Sequence, residues 1–348
     1  MVFNAIVLVG LTGWILKVVT ARPPDAPSGY RPAIPGASPV TPASAGQVPT
    51  KADILALSGA HFGLSAPQVP WSRSEIEGIA AQAGVRPTLL QFFVKWNQEF
   101  RPQSVTASYQ QGAIPIISWE PWDGVKRGEN QPAYALSKII NGSFDPYITR
   151  FATSVREQRW PVAIRFAHEM NGHWYPWSER RSGNRKGQFV QAWRHVHDVF
   201  RKVGATNVVW IWSPNIIRPL PNISLKDLYP GDAYVDWAGM VGYAVHEQTA
   251  AAVFEPTLRK LRQFTKRAVL ITETGVQNGA FKARWITDFF RWLARRPDVA
   301  GFIWFEFSRQ QGGTEDWRFT ATPESTKAFR EGAAATRLAS APTSPTRP

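Results

Sequence analysis

Two glutamates close apolar runs that lie far apart in the chain: Glu169 ends "VAIRFAHE" and Glu273 ends "VLITE". A carboxylate at the end of a run that reads as buried is costly unless it is paired or working. Two such groups are what cleavage of a glycosidic bond requires. One is held protonated to give its proton to the leaving oxygen, and the other is ionised to attack the anomeric carbon or to activate water there. A carboxyl separation of ~5 to 5.5 Å would mean retention of configuration, and ~6.5 to 9.5 Å would mean inversion. The first glutamate lies within "VAIRFAHEMNGHWYPWS", residues 162–178, which adds Arg165, His168 and the aromatics Trp174, Tyr175 and Trp177. Such a cluster is either a paired structural network or a working site.

Metal chemistry has less support. "HEMNGH" superficially resembles a zinc-binding HExxH, but the second histidine is His173, whereas helical spacing needs position 172, which is Gly172. His195 and His197 are two apart on a helical stretch and project to different sides. The chain has no cysteine, which removes disulfides, thiolate metal sites and a cysteine nucleophile. We expect neither a metal nor a cofactor.

The elements that must position these groups are short apolar runs alternating with helical patterns. Candidate strands are Ile54–Ser58, Thr88–Val94, Ile114–Ser118, Val162–Ala167, Val208–Trp212, Ala238–Val241, Val269–Thr272 and Gly301–Phe305. Helical stripes run through Phe189, Trp193, Val196, Phe200 and Val203, and through Trp285, Phe289 and Leu293. "SFDPYI" and "TPESTKAF" carry helix-start signals. Strands that each lead into a helix or long loop predict a single catalytic domain, an α/β fold of the (β/α)8 TIM-barrel type, over residues 51–338. The alternative, a doubly wound sheet, lacks a glycine-rich dinucleotide fingerprint. In a TIM barrel the chemistry sits at the C-terminal strand ends. Those positions hold His61, Lys95 and Trp96, Trp119 and Glu120, His168 and Glu169, Trp212 and Asn215, Tyr243 and His246, Glu273, and Trp304 and Glu306.

Outside the barrel, Val2–Leu16 form an apolar run closed by Lys17. It is short for a span of ~20 residues and suits a signal-peptide core, so residues 1–21 are expected to be a signal peptide or an N-terminal membrane anchor. Residues 22–50 read as a Pro/Ala/Ser-rich linker and 339–348 as a disordered tail. Either reading of the N-terminus predicts a secreted or cell-envelope-anchored protein. The net charge is +14, but the basic residues are spread rather than blocked, which fits a solvated surface better than a nucleic-acid footprint. The chain is expected to act as a monomer without nucleic acid. Sixteen tryptophans offer faces that stack on sugars.

With these residues in place, "RFAHEMNGHWYPW" resembles the acid/base segment of glycoside hydrolase family 26, and "ITETG" its nucleophile segment. "GYAVHE", "WF" and "EDWRF" fit the same pattern, and the similarity covers essentially the whole barrel. The resemblance implies a retaining endo-β-glycosidase acting on a neutral β-mannan or β-glucan, with Glu169 as acid/base and Glu273 as nucleophile. It further implies that His168 hydrogen-bonds near the nucleophile, that Tyr243 positions Glu273, and that Trp174 and Trp304 line sugar subsites. Glu120 is read as substrate-binding, against a role in orienting a catalytic carboxylate or pairing with an arginine. Trp119, Trp122 and Trp177 are sugar platforms or rim packing, with Trp119 counted among the substrate-binding residues. Arg165 is either the neutraliser of a buried carboxylate or a direct participant. The competing readings are a non-catalytic carbohydrate-binding or exopolysaccharide-processing accessory protein, and a basic nucleic-acid-binding module that rests on charge alone.

Overall fold

The computed structural model describes residues 49–56, 59–124 and 128–339. Eight parallel strands close into a barrel in sequence order, the last pairing with the first. They are β1 (His61–Ser65), β2 (Leu89–Lys95), β3 (Ile114–Glu120), β4 (Val162–Phe166), β5 (Val208–Trp212), β6 (Trp237–Ala244), β7 (Val269–Val276) and β8 (Val299–Phe305). The expectations for residues 1–21, for most of 22–50 and for the tail beyond 339 concern segments outside the described residues. Among the described residues no helix is long and apolar enough to cross a membrane.

The first strand is a correction. Ile54 and Leu55, read as strand, belong to helix α1 (Lys51–Leu55), which Thr50 starts through a capping box with Asp53. The strand itself is "HFGLS", so His61 begins β1 rather than ending it. That puts His61 at the face opposite the expected site, where its Nδ1 lies 2.9 Å from the Thr88 hydroxyl.

Alternation along the strands builds two cores. Leu89, Ile114, Ile116, Ala163, Val209, Ile211, Leu270 and Ile303 fill the barrel interior, and Ile54 from α1 joins them. Their sequence neighbours point outward and pack under the surrounding helices: Ile117, Trp119, Ile164, Phe166, Trp210, Trp212, Ile271, Phe302 and Trp304. Both helical stripes read from the sequence are present. Helix α6 (Gln188–Val203) buries Phe189, Trp193, Val196 and Phe200, and α8 (Lys282–Leu293) buries Trp285, Phe289 and Leu293. The remaining helices are α2 (Arg73–Ala83), α3 (Pro102–Gln110), α4 (Leu136–Ile140), α5 (Asp145–Glu157), α7 (Ala250–Leu261) and α9 (Pro323–Ala335). After α9 the chain returns to the start of β1, where Leu338 bridges Ala60. Lys51 of α1 pairs with Asp236 at 2.6 Å, just before β6 begins. Both ends of the described chain therefore lie at the face where the strands start.

Candidate active site

Strand β7 delivers Glu273 through a break in regularity. Met240 faces Ile271 but the next residue, Val241, faces Glu273, so Thr272 is an extra residue in β7. Alternation alone would send Thr272 inward and Glu273 outward. The bulge turns both inward: the Thr272 hydroxyl lies 2.6 Å from Ser213 Oγ, while Glu273 reaches Arg165. Arg165 Nη1 donates to Glu273 Oε1 at 2.5 Å and to Ser118 Oγ at 3.0 Å. The Tyr243 hydroxyl donates to Glu273 Oε2 at 2.8 Å. Burial and the Glu273 charge hold this phenol well above its ordinary range, so it remains a donor.

Glu169 sits just beyond β4 in a turn with two non-glycine residues in left-handed backbone, Ala167 (φ 45°) and Glu169 itself (φ 54°). Such conformations cost on the order of 1–3 kcal/mol each and persist where surroundings over-determine them. Here Glu169 N–H donates to the Ser213 carbonyl at 2.7 Å, and Gly172 N–H closes back on the Glu169 carbonyl. Asn171 locks the turn to the end of β5: its amide donates to the Asn215 carbonyl, and Asn215 N–H donates back to Asn171 Oδ1. Asn215 Nδ2 then donates to Glu169 Oε1 at 2.8 Å, and Trp174 Nε1 to Oε2 at 2.6 Å. Burial first, then the charge of Glu273, pushes the Glu169 carboxyl up to about 7, against those two donors. The mouth thus holds one carboxyl kept protonated near neutrality and one paired with a guanidinium.

Gly172 is required by a close approach. A Cβ there would lie 2.5 Å from the Trp174 ring. We expect Gly172→Ala to displace the indole from Glu169 and to lower activity by about tenfold, the scale of one charge-assisted hydrogen bond. Tryptophan fluorescence and turnover of the same sample would check this, and unchanged turnover would refute it.

Several expected site residues are placed elsewhere. Trp119 and Trp304 are fully buried in the outer core and line no subsite. Trp119 stacks on Phe151 and donates to the Tyr147 hydroxyl, whereas Trp304 donates to the Trp317 carbonyl and packs edge-on against Phe329. Both follow from alternation: Glu120 and Phe305 face inward, so their neighbours face out. Glu120 is buried; it accepts from Trp122 Nε1, and burial raises it to about 7 against the pull of Lys95. The expected contact of His168 with Glu273 is made instead by Arg165 and Tyr243. His168 Nε2 meets the Tyr175 hydroxyl at 3.1 Å, and burial keeps the ring neutral. Trp174 is 4% exposed and acts on Glu169 rather than as an open platform. Trp177 packs face to face on Tyr175, and Trp122 edge-on to both, so these two are packing. Glu306 turns outward and fastens the turn at Phe319 and Thr320. Asn171 and Gly172 lay unassigned within a segment already singled out.

The comparisons with known proteins bear on the family and the fold. Residues 90–296 match the profile described as glycosyl hydrolase family 26. Endoglucanase H of Acetivibrio thermocellus is 31% identical over 274 residues, 75% of this chain but 29% of that protein. A mannan endo-1,4-beta-mannosidase of Bacillus subtilis is 28% identical over 113 residues, 31% of this chain and 28% of its own length. The chain thus spans less than a third of the length of either relative. Among solved structures, a beta-mannanase from a symbiotic protist of the termite Reticulitermes speratus superposes with a TM-score of 0.62 at 16% identity, covering 84% of this chain and 93% of that one. At that identity the likeness supports the (β/α)8 fold. Profile and full-barrel relative together place this chain in glycosyl hydrolase family 26.

Proposed function

We propose that the protein is a retaining endo-β-glycosidase that cleaves a neutral β-linked polysaccharide, a β-glucan or β-mannan. One observation carries the reading: Glu169 and Glu273 share one barrel mouth and sense each other's charge, with the first raised to about 7 and the second paired with Arg165. Protonated Glu169 gives its proton to the glycosidic oxygen as Glu273 attacks the anomeric carbon. The bond to the leaving sugar breaks and a glycosyl ester forms on Glu273. Glu169, now ionised, takes a proton from water, whose oxygen attacks the same carbon and releases Glu273. Arg165 and Tyr243 offset the charge on Glu273 when it departs, and Trp174 and Asn215 hold Glu169 against both partners. The relative that matches across most of the barrel is an endoglucanase, which favours β-glucan as the first substrate to try. We further propose that the enzyme works outside the cytoplasm, as the apolar N-terminal run suggests.

A general acid must carry its proton, so kcat/KM is expected to hold below about pH 7 and to fall above it as Glu169 ionises. Asn215 donates to the ionised carboxylate and opposes the upward shift. Asn215→Leu therefore moves the alkaline limb to higher pH, and an unmoved limb would show that another group sets it.

The deciding assay is reducing-end release from mixed-linkage β-glucan, mannan, glucomannan and xylan, with Glu273→Ala as control. Release from one polymer that the variant abolishes supports the hydrolase. Binding without release by the unaltered protein would favour the non-catalytic carbohydrate-binding reading.

A further inference from the structure

The barrel wall is not uniform. Strands β2 and β3 pair over the whole length Leu89–Lys95, whereas β1 and β2 pair only at Gly63↔Leu89 and Leu64↔Leu90. Beyond Leu64, β1 stays with β8 as far as Ser65↔Phe305 and leaves β2. A crevice of about 130 Å³ opens where they part, with Ser65, Trp71, Gln91, Phe93, Lys95 and Phe307 among the residues around it. At roughly 10–15 Å³ per water, this space holds several waters or the edge of a sugar ring.

Two features give the crevice the chemistry of a sugar site. Ser65 Oγ and both amide atoms of Gln91 are buried without a hydrogen-bond partner, a costly state for groups with no ligand to satisfy. The rim, in turn, carries Trp71. Of the described tryptophans, Trp160 is half-buried, Trp71 is 40% exposed, and the rest are buried. The loop presenting Trp71 is fixed rather than loose. Trp71 N–H donates to the Gln68 carbonyl, Gln68 N–H to Glu75 at 2.9 Å, and Gln111 Nε2 to the Pro70 carbonyl at 2.8 Å. An exposed indole at the rim of a crevice whose apolar wall also carries unpartnered amide and hydroxyl groups is an arrangement suited to a pyranose.

Aromatic contacts link the crevice to the residues around Glu169 and Glu273. Phe93 lies edge-on to His168, the residue before Glu169. Phe307 stacks on Phe305, which packs against Tyr243, the donor to Glu273. Two strands further round the barrel, the loops after β3 and β4 are joined through Gln131–Ser182, Asn130–Ser182 and Leu136–Asn184 hydrogen bonds.

We propose that the β1/β2 crevice is a remote carbohydrate subsite, which takes a sugar unit of the substrate away from the cleaved bond. Trp71 covers the ring face, and Gln91 with Ser65 bonds a hydroxyl directly or through one water. The proposal rests on the glycosidase reading, since it supplies the polymer that both sites share. The test uses full-length protein and compares cello- or manno-oligosaccharides of three and six units, whichever series the protein accepts. Trp71→Ala is expected to lower kcat/KM on the hexasaccharide about tenfold and to leave the trisaccharide unchanged, with Trp71→Phe recovering most of the loss. Gln91→Leu, which keeps the volume but removes the amide, is expected to show the same length dependence without a lower melting temperature. Equal losses at both lengths, or none at either, would overturn the proposal. If the unaltered protein cleaves neither series, the glycosidase reading has failed and calorimetric binding decides the crevice separately. Hexasaccharide bound more weakly by Trp71→Ala than by the unaltered protein sustains it; equal binding, or none, refutes it.

Discussion

Glu273→Ala is expected to abolish turnover on every substrate, a loss on the order of 10⁴- to 10⁶-fold, the range seen when a nucleophile is removed from a hydrolase. Glu169→Ala should behave differently. Its loss, about 10²- to 10⁴-fold on a polysaccharide, should shrink on an aryl glycoside whose leaving group needs no proton. The contrast comes from the environments described above. Glu273 is held by a guanidinium and a phenol, and in the proposed mechanism it alone forms the bond to carbon. Glu169 only supplies and retrieves a proton. Azide should separate the two variants further, because it occupies the space of whichever carboxylate is gone. Product of inverted configuration is expected from Glu273→Ala, and of retained configuration from Glu169→Ala. Inverted product from both, or aryl-glycoside activity lost equally in both, would contradict the assignment.

Arg165→Met should damage both the fold and the chemistry. The guanidinium has no exposed surface and lies 2.5 Å from Glu273. Removing one partner of a buried pair leaves the other charge uncompensated, typically at a cost of 3–5 kcal/mol. For a chain of this size that is a melting point lower by on the order of 10 °C. Activity should fall as well, since Arg165 no longer holds Glu273 Oε1 in place. Adding Glu273→Gln removes the stranded charge, so Arg165→Met/Glu273→Gln should melt higher than Arg165→Met alone while remaining inactive. Thermal melts of the two proteins decide this. A double variant that melts no higher would mean that Arg165 stabilises the barrel through Ser118 and packing instead.

Much of the barrel was legible because strands buried on both faces read as continuous apolar runs. Val208–Trp212 and Val269–Thr272 are recognisable without context. "HFGLS" was not, since its histidine and glycine interrupt the run while the nearby Ile54 and Leu55 imitate one. That Glu169 and Glu273 meet at one mouth was legible from residue type and strand position, and Arg165 as the neutraliser of a buried carboxylate. Which face each strand-end residue takes was the harder matter. Strict alternation from Glu120 would have placed Trp119 under the helices, and the same count from Phe305 disposes of Trp304. Alternation fails at Glu273, however, because the extra residue Thr272 lies in β7 and no composition signal marks it. The abundance of tryptophan misled for a related reason: indoles that can stack on sugars also fill the space between strands and helices, and most of them do that here.

The return of the chain after α9 to the start of β1, with α1 packed at the same face, has a practical consequence. A module or support joined directly at residue 49 or 339 would start on the far side of the barrel from Glu169 and Glu273. Protein trimmed to residues 49–339 and immobilised there should therefore keep its rate on long polymers, whereas random coupling through lysines, with Lys95 near the crevice, should slow long polymers more than short ones.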